Sequence, residues 1–300
     1  MNCKDKSTLD SLSTIELEHG FLVEQIRQTY HHELSSHAFT NLFLWREQMK
    51  LRIRLQNDHY VVKMDSEGPN TWFFPCGNPD GIQTFVENQM REPNFSMVYL
   101  REQDKTWLET QFPDEFDFSR MPDSDEYIFE RTALEQRMGS SYANLRNQMN
   151  GLFREHEMIC KPYTEKEEGL VWNFIRQPFK KKHKQGYLAL DDSNIPQTAM
   201  TFRHELGLQL VTVWADGILS GVTMGFPLTQ DTMDGCIERH NSHIHGLSYL
   251  TQMALLLQAA PSYRYMNAEE DLGLPGLRMM KRHMNPCCMN YIWRADAKKE

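Results

Sequence analysis

The stretch LQLVTVW, Asp216-Gly217, ILSGVTMGF restricts the fold more than any other part of this 300-residue chain. Two β-rich runs flank an Asp-Gly pair, and that pair suits a two-residue type I′ turn, whose central residues both take positive φ. A β-hairpin with its turn at 216 follows. A second hairpin is expected earlier, because Leu51, Ile53 and Leu55 alternate with Arg52 and Arg54, Asn57-Asp58 interrupts, and HYVVKM resumes the strand pattern.

Around these hairpins the chain reads the same way twice. After the first come a short strand at 71–75, the turn GNPDG, a helix at 81–91, the strand FSMVYL at 95–100 and a helix at 102–111. After the second come a segment at 232–238, a helix at about 247–259, the strand YRYMN, a helix at 275–284 and a last strand near 289–294. Helical spacing at 14–35 opens the chain, followed by the buried aromatic stretch 39–46. The acidic, proline-bearing residues 113–126 read as a loop, and EYIFER as a strand. Tyr142, Leu145, Met149 and Leu152 form one helical stripe, on a helix expected to bridge the halves. A further amphipathic helix is expected at 164–177. This order predicts an α/β (α+β) protein built from a duplicated unit, divided at 1–155 and 156–300. Each unit is expected to hold a mixed, mostly antiparallel sheet flanked by helices.

Composition limits the class. At 40% hydrophobic and 24% charged the chain is globular, no apolar run approaches the ~20 residues that cross a bilayer, and MNCKDKSTLDSL contains no signal core. A cytoplasmic protein without an integral membrane segment is expected. The six cysteines show no CxxC pair and read as reduced thiols. Residues 1–150 carry 15 lysines and arginines against 24 acids, whereas residues 151–300 carry 17 against 17, which argues against wholesale nucleic-acid coating. The run KKKHK at 180–184 reads as a solvated face, with a phosphate-binding patch as its alternative. His240, His243 and His245 lie close together, but no cysteine or acid pair completes a tetrahedral set, so no metal is expected. One of them remains a candidate base.

The chemistry-bearing stretch is Tyr265 to Pro286. Asn267, Glu269 and Asp271 recur every second residue, so an extended backbone would send all three side chains from one face. Gly273 and Gly276 bracket Pro275, which suits the first turn of a helix, and Leu277, Met280, Lys281 and Met284 continue it at helical spacing. Acyl transfer needs a poised acceptor, a proton shuttle and positive or N–H groups at the developing oxyanion. Here Glu269 and Asp271 would hold a donor's ammonium or take a proton, and Arg278 and Lys281 would meet phosphate or oxyanion. The plainer alternative is a strand-to-helix junction with acids complementing the helix dipole. Arg146, Asn147 and Asn150 form a second polar cluster that lines a ligand cleft or caps nearby backbone. Gly221 and Gly225 mark either close backbone approach to a ligand or a bulge.

The spacing N-x-E-x-D-x-G-x-x-G-L-R-x-x-K-x-x-x-x-P from Asn267 to Pro286 resembles the C-terminal domain of bacterial phosphatidylglycerol lysyltransferases and their uncharacterised relatives. Tyr127, Leu134, Gly139, Arg146, Asn147, Asn150 and Phe153 resemble a second block of that family, and Phe39, Asn41 and Trp45 its N-terminal aromatic segment. The resemblance implies two tandem GNAT-like domains, an arrangement shared with Fem-type aminoacyltransferases, and transfer of an aminoacyl group from aminoacyl-tRNA. It favours Asn267, Glu269 and Asp271 as catalytic residues, and Arg278, Lys281, Arg146, Asn147 and Asn150 as substrate-binding ones. The multi-helix membrane domain of the lipid-modifying members has no counterpart in this sequence. The expected acceptor is therefore a small amine or hydroxyl compound, or a phosphatidylglycerol-type lipid met by peripheral membrane contact. No cofactor is firmly implied. A CoA-dependent N-acyltransferase is the first alternative, although no Q/R-x-x-G-x-G/A loop is present. A non-catalytic tRNA- or lipid-binding relative is the second.

Overall fold

The structure, a computed structural model, describes residues 11–177 and 193–298, so the basic run at 180–184 lies outside the described residues. The chain divides into two compact units, one running to Ser124 and resuming at Asn290, the other comprising Asp125–Met289.

In the first unit β2 (Leu51–Leu55) and β3 (His59–Met64) form the expected hairpin, and Leu51, Ile53 and Leu55 point inward because side chains alternate along a strand. β1 (Ser13–Thr14) edges β2, and β5 (Cys76–Gly77) pairs β3 off the main path. Beyond β3 the sheet continues through β4 (Thr71–Phe73), β6 (Ser96–Leu100), β15 (Trp293–Ala297) and β7 (Phe116–Arg120). Only β4 and β6 are parallel, and α3 (Pro79–Gln89) makes the crossover a parallel pair requires. Asn78 caps α3 by accepting from the Asp80 N–H, with Pro79 at the first helical position. α1 (Gly20–Thr29), α2 (Phe39–Trp45) and α4 (Glu102–Gln111) complete the unit. Its core includes Trp72, Phe85, Phe95, Met97, Leu108 and Phe116.

The second unit repeats this plan. β10 (Gln209–Ala215) and β11 (Ile218–Pro227) form the hairpin, with φ of 51° at Asp216 and 78° at Gly217, as a type I′ turn demands. β12 (Thr232–His240) follows, then the crossover helix α9 (Leu247–Gln258), the parallel strand β13 (Tyr265–Asn267), α10 (Pro275–His283) and β14 (Cys288–Asn290). β8 (Glu126–Glu130) pairs β13, and β9 (Met158–Pro162) edges β10. In both units a strand distant in sequence closes the sheet beside the parallel pair: β15 beside β6, β8 beside β13. The remaining α-helices among the described residues are α5 (Arg131–Gln136), α6 (Ala143–Glu155), α7 (Glu168–Ile175) and α8 (Ile195–Thr201).

Three expectations change. The division falls at Ser124/Asp125 and not at 155/156, because β8 hydrogen-bonds β13. For the same reason α6 belongs to the second unit: Leu145, Met149 and Leu152 sit in one core with Met253, Met266 and Met280. Residues 113–126 are not one loop, since Phe116–Arg120 pairs β15 across five residues and buries Phe116.

Candidate functional site

The parallel pair β12/β13 is short, with register Thr232 to Tyr265, Met233 to Met266 and Asp234 to Asn267. β12 then runs on to His240 against β11, while the chain leaves β13 after Asn267. Crevices outside the carboxyl ends of parallel strands are where open α/β sheets bind ligands.

What turns the chain is local. Asn267 Oδ1 accepts from the Glu269 N–H at 2.8 Å, an Asx-type turn, and Glu269 takes φ 57°, a left-handed conformation uncommon for glutamate. Lys281 then reaches up from α10 and donates to three successive carbonyls, Ala268 at 2.5 Å, Glu269 at 3.1 Å and Glu270 at 2.6 Å. Successive carbonyls alternate in direction along a strand, so three of them meeting one ammonium group exclude the extended backbone expected here. The shared face of Asn267, Glu269 and Asp271 is thereby corrected: Asn267 ends β13, and Glu269 and Asp271 lie in the turn that follows it. α10 begins at Pro275 as expected; Met280 and Lys281 are buried on it, Met284 is buried just past its end, and Leu277 is half-buried against the same core.

Each expected side chain has a definite place. Asn267 is fully buried and donates to Glu126 Oε2 at 2.7 Å. Asp271 is also fully buried and accepts four bonds: from the Tyr127 hydroxyl at 2.5 Å, from Arg278 Nε and Nη2 at 2.8 Å each, and from the Gly273 N–H at 2.9 Å. Burial alone would raise its pKa; the bonds from Arg278, Tyr127 and Gly273 outweigh that and hold it below the usual aspartate value. Tyr127 is pushed up to about 12, by burial first and then by its bond to Asp271. Burial lowers the Lys281 pKa, opposed by Glu270 and Glu269.

Glu269 stands apart. Its carboxyl is held well above the usual glutamate range by burial, then by the neighbouring charges of Asp234 and Glu270; Lys281 opposes them and Glu126 adds to them. Burial raises Glu270 as well. Four acids, Glu126, Asp234, Glu269 and Glu270, thus gather at the end of β13, with Arg278 bonded to Asp271 and Lys281 bonded to backbone while its charge acts on Glu269 and Glu270. Burial and mutual repulsion therefore disfavour ionising Glu269 and Glu270 together.

The second expected cluster lies elsewhere in this unit. Arg146 Nη1 donates to the carbonyls of Arg137 and Gly139, holding the loop after α5, and Asn147 and Asn150 are exposed on α6. That is backbone capping. Gly225 lies at a register shift, and a Cβ there would come within 1.8 Å of the Asp234 carbonyl; one at Gly221 would meet Thr251 Oγ1 at 2.7 Å. Both glycines serve strand and helix packing. His240 pairs with Glu238 at 2.9 Å, whereas His243 and His245 are exposed. Among the described residues no cluster of His, Cys, Asp and Glu is placed to hold a metal ion, and no helix is long and apolar enough to cross a membrane.

The sequence expectation did not include Glu126, Asp234 or Glu270 in the site. Glu126 opens a strand and Asp234 lies within one, positions where an acid ordinarily faces water, so only the sheet pairing shows that both are buried.

Similar folds are found in a conserved protein of unknown function from Bacteroides thetaiotaomicron, at TM-score 0.79 and 22% identity, covering 96% of this chain and 99% of that one. The structure of L-PGS from Bacillus licheniformis matches at TM-score 0.56 and 13% identity, covering 93% and 91%. A GNAT-family acetyltransferase from Colwellia psychrerythraea matches at TM-score 0.50 and 10% identity, covering 96% and 100%. These likenesses give the fold, GNAT-like in both units. None of the curated proteins matches the sequence. The family model described as "Phosphatidylglycerol lysyltransferase, C-terminal" matches residues 27–288, and the chain belongs to that family.

Proposed function

We propose that the protein transfers an aminoacyl group from an aminoacyl-tRNA to an amine or hydroxyl acceptor. Family membership supports the reaction class, and one observation supports the place: burial and the neighbouring acids Asp234, Glu270 and Glu126 raise the Glu269 pKa even with Lys281 opposing them. An aminoacyl ester carries an ammonium group beside its carbonyl, and this group would enter the acidic end of β13. Its positive charge lowers the pKa of Glu269, which releases its proton and becomes the base. The acceptor's nitrogen or oxygen then attacks the ester carbonyl and passes its proton to Glu269. The carbonyl bond to the ribose oxygen breaks, and that oxygen takes a proton as it leaves. Asp271, Lys281 and Asn267 position Glu269, and Arg278 fixes Asp271. Arg146, Asn147 and Asn150 remain proposed contacts for the donor's nucleic acid, Asn147 and Asn150 through their exposed side chains on α6 and Arg146 through the loop it holds.

Phosphatidylglycerol is the first acceptor to test, because the family description names it. A discharge assay with a panel of charged tRNAs, offered phosphatidylglycerol vesicles or small amines, tests the proposal. Discharge above the spontaneous rate that is lost in Glu269→Gln is the expected result. Acyl transfer from acetyl-CoA under the same conditions would replace it.

A further inference from the structure

The first unit contains a cavity that the proposed transfer does not use. It has a volume of about 280 Å³ and is lined only by residues of that unit. It opens where β4 and β6 end: Phe74 and Cys76 follow one strand of the parallel pair, Arg101 follows the other, and Trp107 lies on α4. In the second unit the corresponding topological position, at the ends of the parallel pair β12 and β13, is the one beside Asn267.

One wall is His32, 2% exposed, and neither of its ring nitrogens has a hydrogen-bond partner. The contrast is with His37, whose ring stacks on it at 3.9 Å: His37 Nε2 bonds the Phe74 carbonyl at 2.8 Å, and Nδ1 meets Ser36 Oγ at 3.1 Å. Buried polar groups are almost always paired, so an unpaired imidazole beside a cavity calls for a partner from outside the chain. Burial holds both histidines neutral, and a neutral imidazole offers one N–H and one lone pair.

The remaining lining indicates the partner's chemistry. Arg101 is the cation of the site, and Asp104 takes its Nε and Nη2 at 2.8 Å each. Its charge is therefore compensated and does not call for an anion. Phe74, Ile82 and Trp107 give apolar and aromatic surface suited to a flat ring. We propose that this cavity binds an uncharged, planar molecule of about nucleobase size, held on its apolar walls and hydrogen-bonded to His32 through an amide or amino-heterocycle edge.

The test uses the full-length protein with adenine and nicotinamide as probes, and inorganic phosphate and acetate as anionic controls. Long-range ¹H–¹⁵N spectra of the histidine rings report His32 directly, and thermal unfolding reports binding. At millimolar concentration a neutral probe is expected to shift the His32 ring nitrogens and to raise Tm, whereas the anions do neither. His32→Phe is expected to raise the ligand-free Tm, since it removes two unpaired polar atoms, and to abolish the probe-dependent increase. Tautomer exchange of His32 with bound water alone, unaffected by either neutral probe, would overturn the proposal. So would a response to phosphate or acetate only, or a His32→Phe variant stabilised by the probes as much as the wild type.

Discussion

The Tyr127 hydroxyl donates to the Asp271 carboxylate at 2.5 Å, joining the strand that opens the second unit to the turn that carries Glu269, 144 residues later. This bond and the Arg278 pair set the orientation of the whole turn. Tyr127→Phe removes one donor from a buried carboxylate and is expected to cost about 2 kcal/mol, as hydrogen bonds to charged groups do. Chemical denaturation read at a probe in the second unit measures the loss.

Asp271→Ala leaves Arg278 without its buried partner. Removing one member of a buried pair costs about 3–5 kcal/mol, and the lower end applies because Arg278 retains some exposure to water. Asp271→Asn keeps the shape and should fall between alanine and wild type. The pH dependence has a definite sign. The folded pKa of Asp271 is depressed, so its contribution is complete above the unfolded value near 3.8 and is lost as pH falls below it. An acid titration of stability should therefore be less steep in Asp271→Asn than in the wild type below about pH 4.

Lys281→Met keeps most of the stem volume but abandons three carbonyls of the turn at once. A loss of about 3 kcal/mol is expected, in line with other broken networks of buried polar groups. Activity in the discharge assay should fall with it, because Glu269 loses the backbone geometry that positions it. Lys281→Met at wild-type stability would show that the three bonds do not hold the turn.

Glu269 gives a prediction that is independent of stability. A carboxyl with a raised pKa holds its proton to higher pH than usual, and a cation entering beside it lowers that pKa. Binding of lysinamide, followed across a pH series, should therefore release protons over a window above the usual glutamate range. Calorimetry in two buffers of different ionisation enthalpy measures it. Proton uptake, or no exchange in the wild type, would contradict the reading, and Glu269→Gln should abolish the release.

His37 predicts an acid sensitivity of the first unit. Its pKa is lowered to about 3 by burial, whereas an unfolded histidine titrates near 6.5, so the unfolded state binds the extra proton between those values. Stability should be complete above about pH 6.5 and decline toward pH 3, by on the order of 4 kcal/mol from this residue. His37→Gln should flatten that slope in a denaturation series across the range.

Both hairpins were legible in the sequence because their signals are local: alternation along Leu51–Leu55, and Asp216-Gly217 between two β-rich runs. The repeated element order followed from the same local patterns. The closing strands were not legible as such, since β15 lies against β7 and β8 against β13 through pairings such as Trp293 with Arg120 and Tyr265 with Glu130, more than a hundred residues apart. Nothing in Trp293–Ala297 announces which sheet it will enter. In the site, Asp271, Arg278 and Lys281 were visible as residue types at fixed spacing. Their bonding was not, because Lys281 acts on backbone carbonyls and Asp271 on a tyrosine from another strand. Asn267 misled in one respect: its side chain ends the strand that the alternation implied.

Discharge of aminoacyl-tRNA by the purified protein, followed as loss of the ester and appearance of an aminoacylated acceptor, tests the central claim most directly. Turnover by the wild type, with at least about a 100-fold loss in Glu269→Gln as for removal of a general base, is the predicted result. A wild-type protein that neither binds nor discharges any aminoacyl-tRNA, or a Glu269→Gln variant with undiminished turnover, would contradict it.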